Sequence, residues 1–209
     1  MLVRDVMHQP VITIGPEASL KDADMLMWEQ GVRHLPVVED GRLLGILTDR
    51  DLRTATSELS PLPLSPQATV REVMTAPVLT ADPQDPVEDA ARLMRERKIG
   101  SLPVVEGKEL KGIITGIDLL DALVALTGAN LPSGRIEARL ANKPGELARL
   151  AQFFAAHGVN IHSVLTYPET TGVVRNVLRV DSLETRPLAE ELRKKGFEVL
   201  WPPEKPWSR

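Results

Sequence analysis

Two short signatures carry residue types suited to ligand chemistry. Thr48-x-x-Asp51 follows the glycine-led apolar run Gly45-Ile46-Leu47, and Thr115-x-x-Asp118 follows Gly112-Ile113-Ile114. Each run reads as a strand that delivers its Thr-x-x-Asp to the start of a helix. A carboxylate there accepts hydrogen bonds from both hydroxyls of a ribose cis-diol, while the threonine hydroxyl and helix N-terminal amides meet a phosphate. The same spacing also makes a capping box, in which the hydroxyl caps the helix and the acid reaches back. Both readings hold together if one carboxylate oxygen caps and the other faces a cleft. Arg50 and Arg53 stand beside the first signature only, since Ile117 and Leu120 replace them beside the second. They are either solvated helix-face charges or guanidiniums for a phosphate, and on the latter reading the second cleft holds a polyphosphate less well.

The elements that position these signatures occur twice. Arg33-His34-Leu35-Pro36-Val37-Val38-Glu39 returns as Gly100-Ser101-Leu102-Pro103-Val104-Val105-Glu106, an offset of 67 residues. At the same offset Val6-Met7 becomes Val73-Met74 and Pro10-Val11 becomes Pro77-Val78. A duplicated unit packs about a pseudo-twofold axis with clefts at its seam. Each copy reads as strand, helix, strand, strand, helix. The first helix spans 18–30, with Leu20, Ala23, Leu26 and Met27 inward and Gly31 ending it. The second has Asp85 as its N-cap, Pro86 at its first position, Val87, Ala90, Ala91 and Met94 inward, Arg95, Arg97 and Lys98 matched to the dipole, and Gly100 ending it. Hairpins follow at Asp40-Gly41 and Glu106-Gly107. The boundaries read as 1–66 for the first repeat with its connecting loop and 67–126 for the second. Residues 127–134 form a linker, 135–200 a further domain and 201–209 an extended Pro/Trp tail.

The further domain changes pattern. Residues 135–140 alternate, 145–157 are helical with Leu147, Leu150, Ala151 and Phe154 inward, and 159–166 and 173–180 read as strands. A helix over 187–195 and a strand over 197–200 complete βαββαβ, the ferredoxin-like order. The whole chain is thus an α/β (α+β) protein. In 209 residues with net charge −4 and pI near 5.6 there is no broad basic surface for nucleic acid or an anionic membrane. No run of 18 apolar residues and no signal-peptide layout occurs, so the expected location is the cytoplasm. Zero cysteines exclude thiol chemistry and disulfides, and His8, His34, His157 and His162 have neither zinc spacing nor a serine to activate. No catalytic or metal site is expected. An enzyme acting on a nucleotide or acyl substrate is the rival class, and it lacks a visible nucleophile, base or metal cluster.

With its Val-Arg-Asp-Val-Met and Val-Arg-Glu-Val-Met openings, Leu-Pro-Val-Val strands and Gly-led Thr-x-x-Asp endings, residues 1–125 resemble a pair of cystathionine-β-synthase (CBS) domains, the Bateman module. The resemblance implies that Thr48, Asp51, Thr115 and Asp118 hold the ribose and phosphate of an adenine nucleotide or S-adenosylmethionine. It puts the base near Ile12, Thr13, Arg33, His34 and Leu35, and near Leu79, Thr80, Gly100, Ser101 and Leu102. Asn142-Lys143-Pro144-Gly145-Glu146-Leu147, with Asn160-Ile161 after one helix, is similar to an ACT domain over 135–200. From the residues alone Pro144-Gly145 is a turn into the helix and Asn160 closes another. The resemblance implies an amino-acid site at a dimer interface made by Asn142, Pro144, Gly145, Leu147, Asn160 and Ile161, or an assembly role without a ligand. A CBS pair followed by an ACT domain resembles the acetoin-utilisation-type regulatory proteins. What this implies is a free-standing sensor with no cofactor beyond its regulatory ligand. It would be a homodimer or tetramer that signals to an unidentified partner protein through its conformation. A structural assembly protein with relic sites is the alternative.

Overall fold

The computed structural model describes residues 1–204, so most of the expected Pro/Trp tail, residues 205–209, lies outside the described residues. Two compact units are described separately, one of Met1–Ala122 and the other beginning at Leu123.

In the first unit the elements of the first copy are α1 (Leu20–Gln30), β1 (His34–Glu39), β2 (Arg42–Thr48) and α2 (Asp49–Thr56). The second copy supplies α3 (Val87–Arg97), β3 (Ser101–Glu106), β4 (Glu109–Thr115) and α4 (Gly116–Thr127), whose residues from Leu123 onward belong to the second unit. Every element begins 67 residues after its counterpart, and even the bulges repeat, at Val37/Val38 and Val104/Val105. Asp40 and Gly41, at φ 50 and 75, make the tight β1–β2 turn.

The expected opening strand of each copy shrinks to one parallel bridge, Ile14 with Val37 and Ala81 with Val104. Prolines at 10, 16, 77 and 83 flank these segments and remove the donors a longer ladder needs. Two helix ends also differ from the reading of the sequence. Pro86, not Asp85, is the N-cap of α3, because the Asp85 carboxylate accepts from Asp82 N at 2.8 Å and closes the preceding turn. Lys98, not Gly100, takes the left-handed position that ends α3, at φ 54.

The sequence copies are not the packing units. Val70, Val73 and Met74 open the second copy yet pack into the core of the first, with Leu20, Leu35 and Leu47. Val3, Val6 and Met7 open the first and pack with Leu102, Val104 and Ile114 of the second. The backbone follows the exchange, through antiparallel bridges of His8 with Ile113 and Ile46 with Thr75. Gly45 and Gly112 permit this crossing. A Cβ on Gly45 would lie 2.8 Å from the Thr75 carbonyl oxygen and 2.9 Å from Met74 Sδ. A Cβ on Gly112 would meet Met7 Sδ at 2.5 Å and the His8 carbonyl oxygen at 3.1 Å.

The second unit comprises β5 (Gly134–Ala141), α5 (Glu146–Ala156), β6 (Ile161–Thr170), β7 (Val173–Val180), α6 (Thr185–Lys194) and β8 (Glu198–Trp201). The antiparallel order β6-β7-β5-β8 is the ferredoxin-like arrangement. Ile136, Leu140, Leu150, Phe154, Leu178 and Leu192 fill its core. The buried stripe of α5 runs through Leu150, Phe153 and Phe154, so Leu147, expected inside, is exposed and Ala151 only half-buried. The expected linker is shorter too, since α4 runs to Thr127 and Gly134 already belongs to β5. Gly134 is required there because a Cβ would collide with the Ser182 carbonyl oxygen and the Thr185 methyl group. Arg139 and Arg175 converge on Glu169 from neighbouring strands, and Arg139 with Arg175 hold its carboxyl down at about 2. No helix among the described residues is long and apolar enough to cross a membrane.

Gly45→Ala should destabilise the first unit by about 1–3 kcal/mol, as overpacked cores do, because a backbone oxygen has to move. Gly112→Ala should cost less, since the flexible Met7 thioether can rotate away. Urea denaturation of both variants checks the order, and equal costs would contradict it.

Candidate functional site

The seam between the copies opens into a cleft of about 840 Å³. Its walls come from the ends of β1 and β2, the first turn of α2, and, from the second copy, Thr75 and residues 77–79 and 97–101. Thr48 ends β2 and caps α2. Its hydroxyl accepts from Asp51 N at 3.2 Å, and its amide and hydroxyl donate to Asp51 Oδ2 at 2.9 and 2.6 Å. Among the described residues Oδ1 of Asp51 has no hydrogen-bond partner, so one oxygen caps the helix and the other is left for the cleft. The capping box is therefore formed, and it leaves one carboxylate oxygen uncommitted.

Arg33, His34, Arg50, Leu79, Gly100 and Ser101, all singled out from the sequence, line this cleft with Thr48 and Asp51. Burial, followed by the neighbouring Arg33, lowers the His34 pKa and favours the neutral ring. That ring lies against Gly100, where a Cβ would be 3.0 Å from Nε2. Gly100, two residues beyond the cap of α3, is thus a close-approach glycine.

Other expected residues lie elsewhere. Leu35 and Leu102 are fully buried, one in each core, because their strands turn those side chains inward. Ile12 packs on the first core and Thr13 is exposed outside the cleft. Thr80 lines a smaller neighbouring depression with Arg42 and Lys108. Arg53 is turned along its helix to Asp49, at 2.8 Å, and does not line the cleft. Sequence reasoning missed Arg97 and Lys98, which line the cleft from the end of α3, and also Thr75, Pro77 and Val78. The signal for Lys98 was present, since it stands where the first copy has its cap glycine, Gly31.

The second signature is not free in the same way. Thr115 donates from its amide and hydroxyl to Asp118 Oδ2 at 2.6 and 2.8 Å, as Thr48 does to Asp51. Asp118 Oδ1, however, pairs with His8 Nδ1 at 2.8 Å, and the carboxylate is only 3% exposed. His8 is the counterpart of Thr75, which lines the first cleft, so the crossing segment that leaves one carboxylate accessible covers the other.

In the second unit the expected effector residues do not meet. Asn142, Pro144 and Gly145 are exposed at the end of the sheet where Ala141 pairs with Val173, and Gly145 at φ 92 is the N-cap of α5. Asn160 precedes Ile161, which pairs with Val180 at the opposite end. The eleven residues of α5 separate them, roughly 16 Å at 1.5 Å per residue. Leu147, 45% exposed, lies in the first turn of α5, on the Asn142 side.

With this geometry in hand, similarity to known proteins decides the family. The CBS domain matches residues 3–58 and 70–125, and the ACT domain matches 134–197. The chain belongs to the CBS-domain family. It carries a tandem CBS pair followed by an ACT domain, modules that are regulatory rather than catalytic. It is 37% identical over 117 residues to the CBS domain-containing protein YhcV of Bacillus subtilis, covering 56% of this chain and 81% of that protein. The fold is similar to that of the Vibrio cholerae protein AcuB, named for acetoin utilisation, at 34% identity and TM-score 0.54, over 62% of this chain and 95% of AcuB. It is also similar to the CBS pair of protein MJ0100, solved with 5′-methylthioadenosine and S-adenosyl-L-methionine, at 30% identity and TM-score 0.54, over 59% of this chain and 95% of that one.

The His8–Asp118 contact should show in a double-mutant cycle. His8→Ala is expected to lower the urea midpoint in the wild-type background, and to lower it less when Asp118 is already Asn. Equal losses in both backgrounds would mean that the pair contributes nothing.

Proposed function

We propose that the chain is a regulatory sensor whose first CBS cleft binds an adenine nucleotide. The observation that carries this reading is the divided carboxylate of Asp51, with one oxygen capping α2 and the other unpartnered in a cleft that Arg50 also lines. A ribose cis-diol fits the free oxygen, a phosphate fits Arg50 and the first amides of α2, and a base fits between neutral His34 and apolar Val78 and Leu79. The adenosyl ligands of MJ0100 support the same class.

The ACT domain binds its effector, an amino acid, only when a second copy brings its Asn160 end to the Asn142–Gly145 loop of the first. The opposite placement of these residues in one copy supports that reading. The edge strand β6 exposes Val164, Leu165 and Tyr167, and α4 exposes Ile117, Leu120, Leu123 and Val124. Both surfaces favour a homodimer or larger assembly, whose arrangement the ligands bias and a partner protein reads. Light scattering at micromolar concentration should give at least twice the 23.0 kDa chain mass, and a monomer would overturn this.

Asp51→Ala should weaken adenosine, AMP and ATP alike, by about 1.5–3 kcal/mol if a charge-assisted hydrogen bond to ribose is lost. Arg50→Ala should weaken AMP and leave adenosine unchanged. Titration calorimetry of both variants at one salt concentration checks the split. Undiminished adenosine binding by Asp51→Ala would remove the ribose role.

A further inference from the structure

Four cationic side chains, Arg33, Arg50, Arg97 and Lys98, line the first cleft, and among the described residues none of them forms an ion pair. Two acids share the lining. Asp49 is held by Arg53 at 2.8 Å, and Asp51 has one oxygen committed to its cap. The cleft therefore holds more positive charge than one phosphate requires, and the surplus sits at one place, the end of α3.

Lys98 is held there against its own preference. It ends α3 in the left-handed conformation, φ 54 and ψ 41, which a side chain with a Cβ rarely adopts. Its counterpart in the first copy, 67 residues earlier, is Gly31 at φ 64, the residue type that this position favours. Arg97 likewise replaces Gln30. Ending the helix does not require a lysine, since glycine does it in the twin. An unfavourable conformation kept at a cleft wall is the kind of local strain that marks a functional position.

We infer that Arg97 and Lys98 read the phosphate chain length of the ligand. Building on the nucleotide reading of this cleft, the α-phosphate lies with Arg50 and the start of α2. The second and third phosphates of a nucleoside di- or triphosphate extend to the end of α3. The first copy supplies the nucleoside contacts and the second counts phosphates, so the cleft discriminates ATP and ADP from AMP, adenosine and the singly charged sulfonium nucleosides.

The test is titration calorimetry on the full chain with adenosine, AMP and ATP at one fixed salt and magnesium concentration. Lys98→Gly should keep or raise the thermal midpoint, because glycine suits the left-handed position. It should also weaken ATP by about tenfold or more, as loss of a charged contact does, while AMP is unchanged. Arg97→Gln, which restores the twin's residue, should show the same selectivity, and Lys98→Asn serves if the glycine variant folds poorly. Arg95→Gln removes one charge from the same helix outside the cleft and should leave ATP binding intact. Equal changes for ATP and AMP, or an equal loss in Arg95→Gln, would overturn the inference and leave the nucleotide reading standing. Failure of the unaltered chain to bind either nucleotide would overturn both.

Discussion

The structure of the first unit depends on the exchange of two short segments. Val3, Val6 and Met7 complete the core of the second copy, and Val70, Val73 and Met74 complete that of the first. Neither copy has a closed core alone, so their relative placement is fixed by hydrophobic burial, the dominant favourable contribution to folding. The methionines reach across because Gly45 and Gly112 leave room for them. The cleft is the space this crossing leaves between the two hairpins. Its geometry therefore rests on four residues, Met7, Met74, Gly45 and Gly112, none of which touches the proposed ligand.

Pseudosymmetry then makes the differences informative. A duplicated backbone presents two equivalent frameworks, and side chains alone distinguish them. Position 75 is threonine and leaves Asp51 accessible, whereas its counterpart His8 covers Asp118. Position 98 is lysine where its counterpart is glycine, and positions 50 and 53 are arginines where α4 has Ile117 and Leu120. The cationic residues concentrate on one cleft, while apolar ones appear on the helix that carries the other signature. One framework thus carries a cleft lined by cationic side chains and, at the equivalent signature, a buried carboxylate paired with His8.

Much of this was legible in the sequence. The 67-residue offset predicts every element start in the first unit, because helix caps, hairpin turns and inward side chains repeat together. The Thr-x-x-Asp spacing predicts the cap, and in the first copy the structure shows it formed through one carboxylate oxygen of Asp51 while the other has no hydrogen-bond partner among the described residues. The segment exchange was not legible, since periodicity shows which face is buried and not which copy buries it. The same limit hid His8, whose partner lies 110 positions away at Asp118. Leu35 and Leu102 were placed near the base from the resemblance, although strand alternation puts them in the cores. Arg97 and Lys98 were read as helix-dipole charges, a local explanation that left unused the comparison with Gln30 and Gly31. In the ACT domain the resemblance put the effector residues at a dimer interface, and within one chain the sheet register holds Asn142 and Asn160 at opposite ends.

The central claim is that the two clefts are unequal, with the first open to an adenine nucleotide and the second closed by His8. The stoichiometry of ATP binding to the full chain, measured by calorimetry at protein concentrations well above the dissociation constant, tests it most directly. One nucleotide per chain is the predicted result. Two equivalent sites per chain, or no saturable binding, would contradict the account.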